Sequence, residues 1–187
     1  MEEPFFGITT TVDCTNAYKS ARDLDVSFFT YYLHKTLLAV NAIEAFRYRI
    51  LDGDIYLFDE VNASATILGE DETFGFSFME FKENLKDFEE IVQTEISRIQ
   101  STTGLFTREY PENLIHFSAL PWINFSSFSH ARSFTFEDSC PKISFGKMMV
   151  SDSGIRTMNM SVHVHHGLVD GLHVGQFVDC LQQLMNE

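Results

Sequence analysis

The 187-residue sequence has little cysteine, little proline and little positive charge. Its three cysteines, Cys14, Cys140 and Cys180, are an odd number, far apart and without CxxC spacing, so neither a disulfide framework nor a cysteine-rich zinc site is indicated. Thirteen basic against twenty-seven acidic side chains leave a formal charge of −14, which opposes nonspecific binding to nucleic acid or anionic membranes. An anionic ligand must then be held by local groups rather than by the overall field. The start, MEEPFFGITT, has no basic segment followed by an apolar stretch, and no run approaches the ~18 uninterrupted apolar residues of a membrane span. The expectation is a soluble, cytoplasmic protein.

What is present is an ordinary globular composition, 44% hydrophobic and 21% charged, without repeats, linkers or low-complexity runs. Residues 1–187 therefore read as one domain. Phe5–Cys14 alternates like a strand. Val26 to Phe46 carries apolar residues at a helical period, with Lys35, Asn41 and Glu44 opposite. Asp52-Gly53 before DIYLFDEV signals a hairpin, and Ala65 to Phe78 resembles a further strand. Leu85, Phe88, Val92, Ile96 and Ile99 mark a second helix. After a loop around Thr103-Gly104 and Tyr110-Pro111, the β-rich runs NLIHFSALPW, PKISFGKMMV and IRTMNMSVHV follow, and a closing helix starts after Asp170-Gly171. Strand clusters between helices, without strict βα alternation, predict an α/β protein in an α+β arrangement: a two-layer sandwich of a mixed sheet with helices packed on it.

The chemistry is concentrated in SVHVHHGLVDGLHVGQF, Ser161–Phe177, where four histidines, one aspartate and three glycines share seventeen residues. His163 and His165 would share a strand face, as zinc ligands do. The strand-end pattern HxHxDH would need aspartate at 167 and histidine at 168, where Gly167 and Leu168 stand, so no metal is expected. An acid–base role fits better. A histidine between a strand end and an Asp-Gly helix start lies on a sharp bend where its ring can face a cleft, and imidazole exchanges protons near neutral pH. Asp170 can cap the following helix or hold a basic residue, and so fix the turn.

His165-His166-Gly-Leu-Val-Asp170-Gly171 resembles the HHxxxDG motif of chloramphenicol acetyltransferases, shared more loosely by the acyltransferase cores of 2-oxo-acid dehydrogenase complexes and by condensation domains of peptide synthetases. Pro111–Phe128, Asp52–Ile67 and Glu70–Phe78 are similar to segments of the chloramphenicol branch in the same order. The resemblance covers nearly the whole chain. It implies an acetyl-CoA-dependent O-acetyltransferase acting on a small-molecule hydroxyl acceptor, chloramphenicol or a related compound, with antibiotic resistance as a role. His166 matches the general base, Ser118 the hydroxyl that stabilises the oxyanion, and Ser144 a threonine that holds a water near the transition state. Phe74 matches an aromatic residue of the acceptor pocket, and Asp170 a residue that supports the catalytic turn.

Other positions depart from the pattern. His163 replaces a glutamine, Gly167 a small alanine or serine, and Leu172 an aromatic residue. His130 replaces a leucine of the drug pocket, and Met148 a tyrosine that meets acceptor or cofactor. These touch specificity, and they support an alternative reading as a non-catalytic binding or assembly module. A transferase acting on a protein-bound thiol is disfavoured, since no lipoyl or linker segment precedes the domain. The resemblance also implies a homotrimer with the site between subunits. In the family the aspartate pairs with an arginine from an N-terminal helix, which is expected to be missing here because Met1 aligns just before the first long strand. A lone buried carboxylate is costly, so the expectation is that the natural protein is longer and carries that helix; the alternative is that Asp170 turns to the helix N-terminus and an available cation, Arg22 or Arg156, takes the arginine's place.

Overall fold

The computed structural model describes residues 2–69, 72–102, 108–131 and 138–187. Nine strands are found among them: β1 (Phe5–Asp13), β2 (Tyr48–Leu51), β3 (Asp54–Leu57), β4 (Asn62–Leu68), β5 (Phe74–Phe76), β6 (Leu114–Ala119), β7 (Lys142–Phe145), β8 (Met149–Val150) and β9 (Arg156–His165). The helices are α1 (Thr15–Asp23), α2 (Phe28–Ala42), α3 (Leu85–Gln100) and α4 (Gly171–Met185). Seven strands form one mixed sheet in the order β1-β9-β7-β6-β4-β5, with β8 on β9. β6 runs parallel to β4 and β7, and the other pairings are antiparallel.

Strand alternation divides this sheet into two chemically different faces. Ile115, Phe117, Ile143, Phe145, Met160, Val162 and Val164 are buried on the helical side. α2 sits at the centre of that layer, with Tyr32 ring centroids 5.9 Å from Phe117 and 5.0 Å from Phe145, and it packs against α1, α3 and α4. The opposite face is polar. Ser118, Ser144, Ser161 and Thr9 face one another across β6, β7, β9 and β1, and His116, Lys142 and His163 form the adjacent row.

The helix starts follow capping chemistry. Ser27 Oγ accepts from Thr30 N at 3.1 Å, and Asn84 Oδ1 accepts from Lys86 N at 2.9 Å. β2 and β3 form the expected hairpin, whose turn places Asp52 and Gly53 at φ 52° and 84°, the left-handed pair that Asp-Gly supplies readily.

Three elements differ from the sequence reading. α1 is an additional helix whose buried residues are Ala17 and Ala21, too small to mark an apolar stripe. The stripe from Val26 to Phe46 spans two elements, because α2 ends at Ala42 and a 3-10 turn, Glu44–Arg47, buries Ala45 and Phe46 separately. The run from Ala65 to Phe78 is the antiparallel pair β4 and β5. The loop expected at Thr103-Gly104 lies outside the described residues.

Candidate active site

β9 ends at His165, and the chain turns through His166–Asp170 into α4. Leu168 N and Val169 N both donate to His165 O at 3.0 Å, closing the turn. His165 Nδ1 accepts from Gly167 N at 3.1 Å, and a Cβ on Gly167 would stand 2.9 Å from His165 Cε1, so this close approach favours glycine. His166 is exposed. Its backbone N donates to Pro4 O at 2.8 Å, and its ring meets Phe6 edge-on at 5.0 Å. Its Nδ1 lies 3.3 Å from Val169 O. A carbonyl only accepts, so Nδ1 carries the hydrogen and Nε2 keeps the lone pair.

Asp170 is the N-cap of α4. Its Oδ1 accepts from Leu172 N at 2.9 Å and His173 N at 3.3 Å, while Asp170 N donates to His173 Nδ1 at 3.1 Å. This reciprocal arrangement is a capping box with histidine in the usual glutamate position. The Asp170 side chain is 52% exposed, so the expected need for a cation against a buried carboxylate does not arise. Neither proposed substitute is beside it. Arg156 lies over the Tyr18 ring at 4.5 Å, and Arg22 is exposed in the last turn of α1.

Ser118 and Phe74 line a different feature, a cleft of about 630 Å³. Ile67, Leu68, Trp122 and Phe128 supply much of its apolar wall, and Thr66 and Gln93 add polar groups. This volume suits a small molecule or part of a larger cosubstrate. Of these residues, the sequence reading singled out only Ser118 and Phe74. The others come from four separate segments and share no local motif.

Ser144, His130 and Met148 stand apart from the cleft lining. Ser144 is fully buried, and its Oγ lies 3.4 Å from His130 Nε2. The His130 ring meets His163 edge-on at 4.9 Å, and His163 Nδ1 lies 3.3 Å from Ser161 Oγ. Burial, reinforced by neighbouring His163, Lys142 and His116, pushes the His130 imidazole down to about 4. It is a neutral hydrogen-bonding ring at pH 7. Met148 is partly buried against the core.

His166 does not line the Ser118 cleft. Ser118 faces Ser144, which faces Ser161, and His166 is five residues farther along the chain. With strand spacings near 4.8 Å and a rise near 3.3 Å per residue, the two backbones are roughly 19 Å apart within one chain. Among the described residues no group of three or more His, Cys, Asp or Glu is placed to hold a metal ion, and no helix is long and apolar enough to cross a membrane.

A family model described as chloramphenicol acetyltransferase matches residues 3–182. Chloramphenicol acetyltransferase 3 of Escherichia coli is 31% identical, over 97% of this chain and 85% of its own length. The chloramphenicol acetyltransferase of Proteus mirabilis is 27% identical, over 97% and 84%. A solved chloramphenicol acetyltransferase structure superposes with a TM-score of 0.90 at 26% identity, covering 98% of this chain and 89% of that one. The cubic core of the pyruvate dehydrogenase multienzyme complex shares the fold, with a TM-score of 0.74 at 12% identity over 98% and 82%.

Proposed function

Since the chain belongs to the chloramphenicol acetyltransferase family and is an acyltransferase, we propose that it acts as a single domain that moves acetyl from acetyl-CoA to a hydroxyl of a small molecule, chloramphenicol or a related acceptor. The observation that carries this reading is the exposed His166 ring, whose Nδ1 is committed to Val169 O, which leaves Nε2 to accept a proton. Nε2 takes the acceptor's hydroxyl proton as the oxygen attacks the thioester carbonyl carbon. The resulting oxyanion is stabilised by the Ser118 hydroxyl. Collapse breaks the carbon–sulfur bond, and the departing thiolate receives the proton from the imidazolium. The products are the acetyl ester and free CoA. Asp170 acts through the turn rather than on the reacting atoms. The other matched residues shape the surroundings: Phe74 on the acceptor side, Ser144 as the hydroxyl that holds a water near the transition state, and His130 and Met148 as determinants of which acceptor fits. A cytoplasmic setting and a role in chloramphenicol resistance go with this reading.

The separation of His166 from the Ser118 cleft supports a site completed between copies of the chain, in a closed homotrimer where His166 of one subunit meets the cleft of the next. Two inactive variants test both parts. His166→Ala and Ser118→Ala are each assayed for CoA release with chloramphenicol, then co-expressed. If the site spans subunits, random mixing gives intact His166 and Ser118 in roughly a quarter of sites, and activity returns. Activity that never returns on mixing rejects the shared site. No CoA release by the unsubstituted protein, with chloramphenicol or other hydroxylated acceptors, rejects the reaction.

A further inference from the structure

Cys140, just before β7, sits among basic side chains to which the acetyl transfer gives no part. Arg49 in β2 is only 1% exposed. Its Nη1 donates to Phe46 O at 2.9 Å and Tyr48 O at 2.6 Å, and its Nη2 donates to Leu114 O. Its Nε has no hydrogen-bond partner, and no carboxylate pairs with it among the described residues. Cys140 Sγ lies 3.1 Å from the same Leu114 O, so guanidinium and thiol converge on one oxygen. The nearby carboxylate of Asp138 is engaged by Lys142 Nζ at 2.7 Å, and that ammonium also donates to Cys140 O at 3.0 Å. His116 stands across from Lys142 on β6.

A buried guanidinium with no carboxylate in direct contact is costly, and the Cys140 thiol, meeting the same Leu114 oxygen, is an acidic group placed to offset its charge. We propose that Cys140 is a covalent modification site: a thiolate held between Arg49 and the imidazolium of His116, open to exchange with low-molecular-weight disulfides. The thiol proton passes to His116, and Sγ exchanges its bond to Leu114 O for contacts with the two cations. The thiolate then attacks one sulfur of the disulfide, a new S–S bond forms, the old one breaks, and the second sulfur leaves as a thiolate that takes a proton from water. Cys140 is oxidised to a mixed disulfide and the reagent is reduced to a thiol.

The electrostatics agree. Burial works against ionisation of Cys140, but His116, Arg49 and Lys142 together hold it below the ordinary thiol value, and Cys140 in turn raises His116. The other two cysteines move the opposite way. Burial pushes Cys14 up to about 12 and also raises Cys180. Cys140 is partly exposed, whereas Cys14 is buried.

The test uses the folded protein and dithiodipyridine, an aromatic disulfide, at about pH 6, well below the ordinary thiol range near 8.5. Intact mass and peptide mapping should show one adduct, on Cys140, before Cys14 or Cys180 reacts. His116→Asn should slow that reaction at least about tenfold and shift its pH profile upward, because the thiolate is the attacking species. Arg49→Met should act in the same direction if it folds. Equal labelling of Cys180, or a Cys140 rate unchanged by His116→Asn, overturns the proposal. Acetyl transfer is not part of the readout, so the outcome stands apart from that of the proposed reaction.

Discussion

Gly7 lies directly beneath the imidazole of His163: a Cβ at position 7 would stand 2.4 Å from His163 Nε2 and 2.8 Å from two ring carbons. β1 and β9 bring these residues opposite each other, and the missing side chain lets the ring lie over the β1 backbone beside His130 and Ser161. The neutral His130, the buried Ser144 and the His163 ring therefore depend on one glycine two strands away from β7.

Gly7→Ala is expected to lower stability by about 1–3 kcal/mol, the usual cost of overpacking a well-filled site. In a His163→Ala background the same substitution should cost much less, since the clash is with that ring. Denaturant unfolding of the four proteins in this cycle measures the coupling. Independent, additive effects would show that the ring moves away freely.

His166→Ala should lower turnover at least about 100-fold while binding of both substrates is largely kept, as expected when a general base is removed. Steady-state kinetics together with equilibrium binding check this, and near-normal turnover counts against His166 as base.

Ser118→Ala should lower turnover by roughly 100-fold if its hydroxyl serves the oxyanion, because one such donor typically contributes that much. A larger change in acetyl-CoA affinity than in turnover would instead make Ser118 a ground-state binding residue.

Asp170→Ala removes the acceptor for two backbone N–H groups and should cost about 1 kcal/mol of stability. Asp170→Asn keeps the cap and should recover most of it. If the cap also holds the His166 turn, alanine lowers kcat more than it raises KM, and asparagine restores kcat. Crystal structures of the two variants would show whether the His166 Nδ1–Val169 O contact survives.

Acid should weaken the fold through His130. Its imidazole titrates near 4 when folded, against an ordinary value near 6.5, so between these limits the unfolded chain binds the extra proton. Its contribution to stability is complete above about pH 6.5 and is lost as pH falls through about 4. His130→Leu should flatten that part of the stability–pH curve, measured by unfolding midpoints. The His34 imidazole is also lowered, chiefly by burial, so some slope should remain.

The sequence was most informative where local chemistry and tertiary use agree. Phe5–Cys14 alternates because β1 is covered on one face, and α3 and α4 show their buried stripes and caps directly. It was silent on α1, where small alanines make the contact, and misleading at Phe46, which is buried from a 3-10 turn rather than from α2. The HHxxxDG spacing located the His166 turn because that turn is local. Ser118 could be singled out only by resemblance, since its cleft partners lie far apart in the chain. Arg49 left no sign at all: in sequence it is one charged residue in a short strand, and only the fold places it beside Cys140.

The wall of the Ser118 cleft contains Trp122, the chain's only tryptophan, with 68% of its surface open. Intrinsic fluorescence is thus a native reporter placed at a single spot. An occupant that covers the indole should shift its emission to the blue without a label or an engineered probe. Because Phe74 and Leu68 are also about half exposed there, the same event removes apolar surface from water and should carry a negative heat-capacity change. Calorimetric titration at several temperatures would then check the fluorescence by an independent measure of the apolar surface covered.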